Sequence, residues 1–250
     1  MNKYQKQADQ LTAALGLKQP PIAIAFCDEA PANVPAYNGA APAGCLFWQE
    51  AGSGSFVTAT KDHELCSIGV HTHNMAEPSD SYSVDLQETM KAMMGLDYVR
   101  EAEVAAIPVV NQKVNHVVYS PLADISVDPD VVLLFAHSKQ GLVLTEAASR
   151  VDGGIPPAMG RPACAVVPQV LNQQQAAMSL GCCGARAYLD TLTDDVALWG
   201  FPGSKLEHYC EQIATFASAN NMLSVFHERR KTDVESGDKP SVAESLQRIS

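Results

Sequence analysis

Tyr4, Ala8, Leu11 and Leu15 recur at spacings of 4, 3 and 4, the period of one helix face, and Gly16 stands where a C-terminal cap belongs. Pro20-Pro21 forbids continuation. Ile22 to Phe26 is an unbroken apolar run, the pattern of a strand buried on both faces. Cys27 to Gly44 is rich in Pro, Ala, Gly and Asn and reads as a long loop leading to Cys45. Phe56 to Thr60 is a second strand candidate. Lys61 to Asp80 holds three histidines among polar groups and reads as loop or irregular structure. Leu86, Met90, Met93 and Asp97 predict a helix from about Val84 to Met94. Val104 to Val110 and Val114 to Tyr119 are strand candidates, and Val131 to Phe135, introduced by Asp128-Pro129-Asp130, is a stronger one. A helix from Gln140 to Val151 follows, closed by Gly153-Gly154, and Leu206, Cys210, Ile213 and Ala217 repeat the 4, 3, 4 stripe.

The chain compares with itself. A buried strand, a loop to Cys45, a second strand and Cys66-Ser67-Ile68-Gly69 are matched later by Val131 to Phe135, Cys164, Ala176 to Leu180 and Cys182-Cys183-Gly184. The cysteine intervals are 21 and 18 residues. The expectation is an α/β or mixed α+β fold, a single globular unit over residues 1–228 built from two weakly related β/α halves around a mixed sheet, with halves at about 18–100 and 104–228. Residues 229–250 read as a polar C-terminal tail or docking helix.

Length and charge narrow the function classes. A chain of 250 residues buries roughly 70–75% of its unfolded surface and needs no metal merely to fold. The net charge of −11 argues against nucleic acid and anionic membrane surfaces as partners. The longest apolar runs fall far short of the ~20 residues that span a bilayer. Residues 1–16 lack the apolar stretch of a signal peptide. Seven cysteines without an export signal read as reduced thiols, and the expected location is the cytoplasm. A homo-oligomer is compatible with this reading.

The cysteines sort by their surroundings. Cys210 lies on an apolar helix stripe and Cys27 ends a buried strand, so both are expected to pack as small hydrophobes. Cys45, Cys66, Cys164 and Cys182-Cys183 are flanked by glycine or proline, which permit tight loops whose amides point at sulfur, as an iron-sulfur cluster requires. Cys45, Cys66, Cys164 and Cys182 supply the four thiolates of a 4Fe-4S cubane or a structural zinc, with Cys183 as an alternative to Cys182. Their spacing is not that of a ferredoxin or a zinc ribbon.

His63, Cys66, His71 and His73 offer a rival metal site, because His71 and His73 would point the same way on an extended segment. Glu64 could orient His63. Arg186 could clamp a small anionic substrate if residues 181–184 open a helix. No dinucleotide, Walker or nucleophile-elbow pattern is present in useful context.

Pro20-Pro21-Ile22-Ala23-Ile24, Cys45-x-Phe47, His63-Glu64-x-Cys66-x-Ile68-Gly69, Pro129-Asp130-Val131-Val132, Gly181-Cys182-Cys183-Gly184-x-Arg186 and Phe201-Pro202-Gly203 together resemble domain-of-unknown-function family 169 over about residues 10–220. Where similar proteins often carry Asn-Pro after the Val-rich strand, this chain has His137-Ser138. The resemblance implies no reaction, so the functional expectation rests on the cysteines. It is an iron-sulfur protein, either a small-molecule lyase with His63 as acid-base group and Arg186 as clamp or a redox enzyme. The alternative is a non-enzymatic structural-zinc or cluster-carrier module serving a partner. Thiol redox through Cys182-Cys183 is a third class.

Overall fold

The computed structural model describes residues 2–248 and, for Cys183, the backbone alone. The chain opens with α1 (Lys3–Leu15), capped by Asn2 and by Gly16 in the left-handed region, and enters β1 (Ile22–Cys27) directly after the two prolines. Next come α2 (Leu46–Glu50), β2 (Phe56–Ala59), α3 (Thr60–His63), α4 (Ser67–Thr72), α5 (Tyr82–Gly95), α6 (Glu101–Ala105) and β3 (His116–Pro121). Then follow β4 (Val131–His137), α7 (Ser138–Val151), β5 (Ala158–Met159), α8 (Val166–Gln173), β6 (Ala177–Ser179), α9 (Cys183–Tyr188), β7 (Val196–Pro202), α10 (Leu206–Glu235) and α11 (Val242–Gln247).

Two parts of the chain depart from the pattern reading. The apolar run 104–110 forms no strand: Glu103 bonds back to the Arg100 amide at 2.8 Å and starts α6, and Pro108 cannot donate to a ladder. The polar segment 61–80, expected as loop or irregular structure, carries the short helices α3 and α4 with turns and loop between and after them. The polar C-terminal segment is helical as well. α10 runs on to Glu235, and α11 folds back on it through Arg248, which pairs with Asp233 at 3.1 Å and Asp238 at 2.8 Å.

One mixed sheet of seven strands, in the order β2-β3-β1-β4-β7-β6-β5, organises the molecule. Its two sides alternate along the strands, as the pleat requires. Ala23, Ala25, Val132, Leu134, Trp199 and Phe201 face the core beneath α1, α7 and α10. Ile22, Ile24, Tyr119, Val131, Leu133 and Leu198 face the other core, which holds Phe47, Val70, Val166 and Ala185 of the short helices. The antiparallel β2-β3 pair closes one edge and the parallel β5-β6 pair the other.

The sheet is two copies of one arrangement. β1 pairs β3 with Ile22 opposite Pro121, and β4 pairs β7 with Val131 opposite Pro202. β2 pairs β3 with Thr58 opposite Val117, and β6 pairs β7 with Ser179 opposite Leu198. The edges agree too: a parallel bridge joins Ala36 to Val57, as β5 joins β6 through Met159 and Met178. After each closing proline the next residue bonds to the other end of its unit, Leu122 to the Pro21 carbonyl at 2.8 Å and Gly203 to the Asp130 carbonyl at 2.9 Å. The units meet through β1 and β4. Ala23 stands opposite Val132, flanked by Ile22–Leu133 and Ile24–Val131, a self-complementary register that puts a local twofold axis at the Ala23–Val132 pair.

Candidate functional site: a four-cysteine cavity

The repeat sets the cysteines. Cys45 in the first unit and Cys164 in the second each precede a helix laid over the sheet, α2 and α8. Cys66 and Cys182 are the N-caps of α4 and α9. In both caps the sulfur takes the place of the usual hydroxyl or carboxylate. The Gly69 amide donates to Cys66 Sγ and the Ala185 amide donates to Cys182 Sγ, each at 3.4 Å, satisfying amides that a helix start leaves unpaired. Gly69 keeps this contact close, since a Cβ there would stand 3.2 Å from Cys66 Sγ and the sulfur would have to give by a few tenths of an ångström.

All four cysteines line one cavity of about 580 Å³ on the short-helix side of the sheet. They are half-buried and lie close enough to oppose one another's ionisation. Burial, then Cys66 and Cys182, push the Cys45 thiol up to about 12. Cys164 is pushed up by burial and by Cys66, Cys182 and Cys45, while a hydrogen bond from Thr72 opposes the shift. Cys45 and Cys164, pushed up in this way, are held as neutral thiols. Cys183, the alternative to Cys182, has its side chain outside the described residues. Cys210 is buried on α10 in the opposite core, and Cys27 packs against that core at the end of β1.

Beneath the thiols lies a buried polar group that the sequence reading only partly found. Tyr119 is fully buried, its hydroxyl has no hydrogen-bond partner, and burial together with Cys66, Cys164 and Cys45 drives its pKa far up. His63 packs its ring 4.7 Å from Phe47 and 5.7 Å from His73. Its Nε2 lies 2.9 Å from Thr58 Oγ1 and its Nδ1 is unpartnered. Burial and then His73 hold His63 well below the usual histidine range, so it stands neutral under the floor of the site. Tyr119 carried no sequence signal, because a tyrosine in a strand candidate reads as packing.

The other expected groups are placed differently. His71 and His73 sit at the end of α4, where two residues apart is roughly 200° around the axis, so they do not point the same way. Among the described residues, no group of three or more His, Cys, Asp or Glu side chains is placed to hold a metal ion. Glu64 is exposed. Arg186 is absent from the cavity wall and is taken up by carbonyls: Thr193 at 2.8 Å, Leu192 at 3.3 Å, Val196 at 3.4 Å and also Leu180. It fastens the α9–β7 connection, and a clamp on an anionic substrate is not what its geometry serves.

The family of uncharacterised ArCR proteins, DUF169, matches residues 10–212. No curated protein and no solved structure matches. Among the described residues, no helix is long and apolar enough to cross a membrane.

Proposed function

For this chain, which belongs to the DUF169 family, we propose a role as an iron-sulfur protein in which Cys45, Cys66, Cys164 and Cys182 hold one cubane cluster between the two halves of the sheet. The observation that carries this reading is the convergence of four cysteines, far apart in sequence, on one cavity. A cubane spreads its ligating sulfurs over a wider separation than the donors of one ion, which suits thiols that share a cavity without forming a single-ion shell. Soft thiolates favour iron-sulfur over harder ions. The amides of Gly69 and Ala185 aimed at two of the sulfurs supply the donors that stabilise bound thiolate.

Such a cluster supplies one-electron transfer. Ligation by four cysteines favours a redox or cluster-carrying role, since a lyase keeps one iron open to substrate. Arg186 spent on carbonyls and His63 beneath the floor leave the lyase reading without its clamp or an accessible acid-base group. What the protein contributes is a set of cysteines of which Cys45 and Cys164 are held protonated by burial and must shed their protons on loading, so loading is favoured as pH rises.

Anaerobically purified or reconstituted protein is expected to be brown, with broad visible absorption and about four irons per chain. Alanine at Cys45, Cys66, Cys164 or Cys182 removes the colour, and Cys210→Ala keeps it. Colourless protein carrying one zinc per chain, or colour that survives loss of Cys164, overturns the reading.

A further inference from the structure

The wall of the cavity that faces the thiols is carbon. α5 presents Tyr82, Leu86, Met90 and Met93 along one side, yet none of its 14 residues is buried. A helix with an apolar stripe ordinarily buries part of it against a core. Here Met90 and Met93 of the stripe line the cavity together with Val99, Ile107 and Met159, while Tyr82 packs against the adjoining core. At about 580 Å³ the space falls within the range of small-molecule sites, roughly 300–1,000 Å³. Methionines make such a wall adaptable.

Two residues of this lining, His73 and Gln169, each carry a buried polar atom without a partner, Nε2 and Oε1. Both are acceptors. His73 Nδ1 lies 2.9 Å from the Gly69 carbonyl oxygen, which can only accept, so the proton sits on Nδ1 and Nε2 presents a lone pair. Burial lowers His73 to about 4, which keeps that lone pair free at neutral pH. Gln169 donates through its own Nε2 to the Met159 carbonyl at 3.4 Å, leaving its oxygen without a donor. A buried acceptor left unmade is costly.

The cavity has no spare positive charge. Arg161 is on the lining, but its guanidinium pairs with Glu103 at 3.3 Å, bonds the Tyr98 carbonyl and lies 4.9 Å from the Tyr98 ring centre. A carboxylate or phosphate entering here would have no counter-ion.

We infer that this cavity binds a neutral, carbon-rich small molecule bearing a hydroxyl or N–H group, of the phenol or aromatic-alcohol class, with its body against Met90 and Met93 and its donor on His73 Nε2. The ligand walls belong to the metal-free chain and do not rest on the cluster reading, although a bound cluster would take up the thiol side of the same cavity.

The test is calorimetric titration of the protein as purified, and again after cluster reconstitution, with 1-naphthol, naphthalene and 1-naphthoate as probes. The expected result is saturable 1-naphthol binding, about tenfold weaker naphthalene binding, the equivalent of one hydrogen bond, and no competition by 1-naphthoate. Met93→Trp puts an indole where the ligand body would lie and weakens binding of both neutral probes. His73→Phe brings 1-naphthol down to the level of naphthalene, and if that variant fails to fold, the comparison of the three probes on the native chain decides alone. No binding of 1-naphthol, tighter binding of the carboxylate, or binding unchanged in Met93→Trp overturns the inference. Ligand binding without iron would sink the cluster reading alone, and iron without ligand binding would sink this one alone.

Discussion

Tyr119 and Gly200 occupy the same place in the two halves of the sheet: each lies two residues before the proline that ends its strand, Tyr119 opposite Phe56 and Gly200 opposite Ala177. In the second half the missing side chain lets α8 settle onto the strand, where a Cβ on Gly200 would stand 2.7 Å from Val166 and 2.9 Å from Val170. In the first half the tyrosine ring fills that space and carries its hydroxyl under three of the thiols.

Gly200→Ala therefore overpacks the α8 contact. Both clashing neighbours are β-branched and buried, so relief requires the helix to lift. The expected loss is about 1–3 kcal/mol, read from the urea midpoint at unchanged m-value. A loss below 0.5 kcal/mol would show that α8 is not held against β7 as described.

Tyr119→Phe removes a buried hydroxyl that has no partner. In metal-free protein the variant should be as stable as the parent or more stable by about 1 kcal/mol, because an unsatisfied polar group carries a desolvation cost. In cluster-loaded protein the same change removes a donor close to the sulfurs and moves the reduction potential to a more negative value, read by redox titration followed by electron paramagnetic resonance. An unchanged potential would place the hydroxyl out of reach of the cluster.

Asp152 anchors the side of the sheet away from the cysteines. Its buried carboxylate accepts from the Tyr209 hydroxyl at 2.7 and 2.8 Å and from the Ala176 amide at 2.9 Å, with Lys205 at 3.5 Å. Asp152→Ala strands these donors and is expected to cost about 3–5 kcal/mol, whereas Tyr209→Phe costs about 1–3 kcal/mol. A double-mutant cycle in urea should show strong coupling, and additive effects would contradict the geometry.

Acid destabilises the metal-free protein through its buried histidines. An unfolded histidine takes up its proton near 6.5, while folded His73 does so only near 4. Between these values the unfolded chain binds more protons, so the stability contributed by a neutral His73 is complete above pH 6.5 and falls as pH drops toward 4, by about 3 kcal/mol. His63, which burial also holds well below the usual histidine range, acts in the same direction. Urea midpoints from pH 4 to 8 measure it, and His73→Gln should flatten the curve.

Much of this was legible in the chain. Buried strands announced themselves as unbroken Ile/Val/Leu runs because β1 and β4 are covered on both faces, and the cysteine intervals disclosed the repeat before any strand was paired. What patterning could not supply was the short helices at Thr60–His63 and Ser67–Thr72, which are too brief to show a period and are held by caps such as Cys66 rather than by an apolar stripe. Nor could it place Arg186, whose carbonyl partners come from the connection into β7, or Tyr119, whose importance lies in what its hydroxyl lacks.

The register at Ala23 and Val132 has a consequence for how the site can arise. Each half owns two of the four cysteines, so a half-length chain could complete the set only by pairing its first strand with that of an identical copy. Joining both halves in one polypeptide fixes that pairing permanently and makes the site independent of protein concentration. It also frees equivalent positions to diverge, and the tyrosine on one side of the axis and the glycine on the other mark where the two copies have parted.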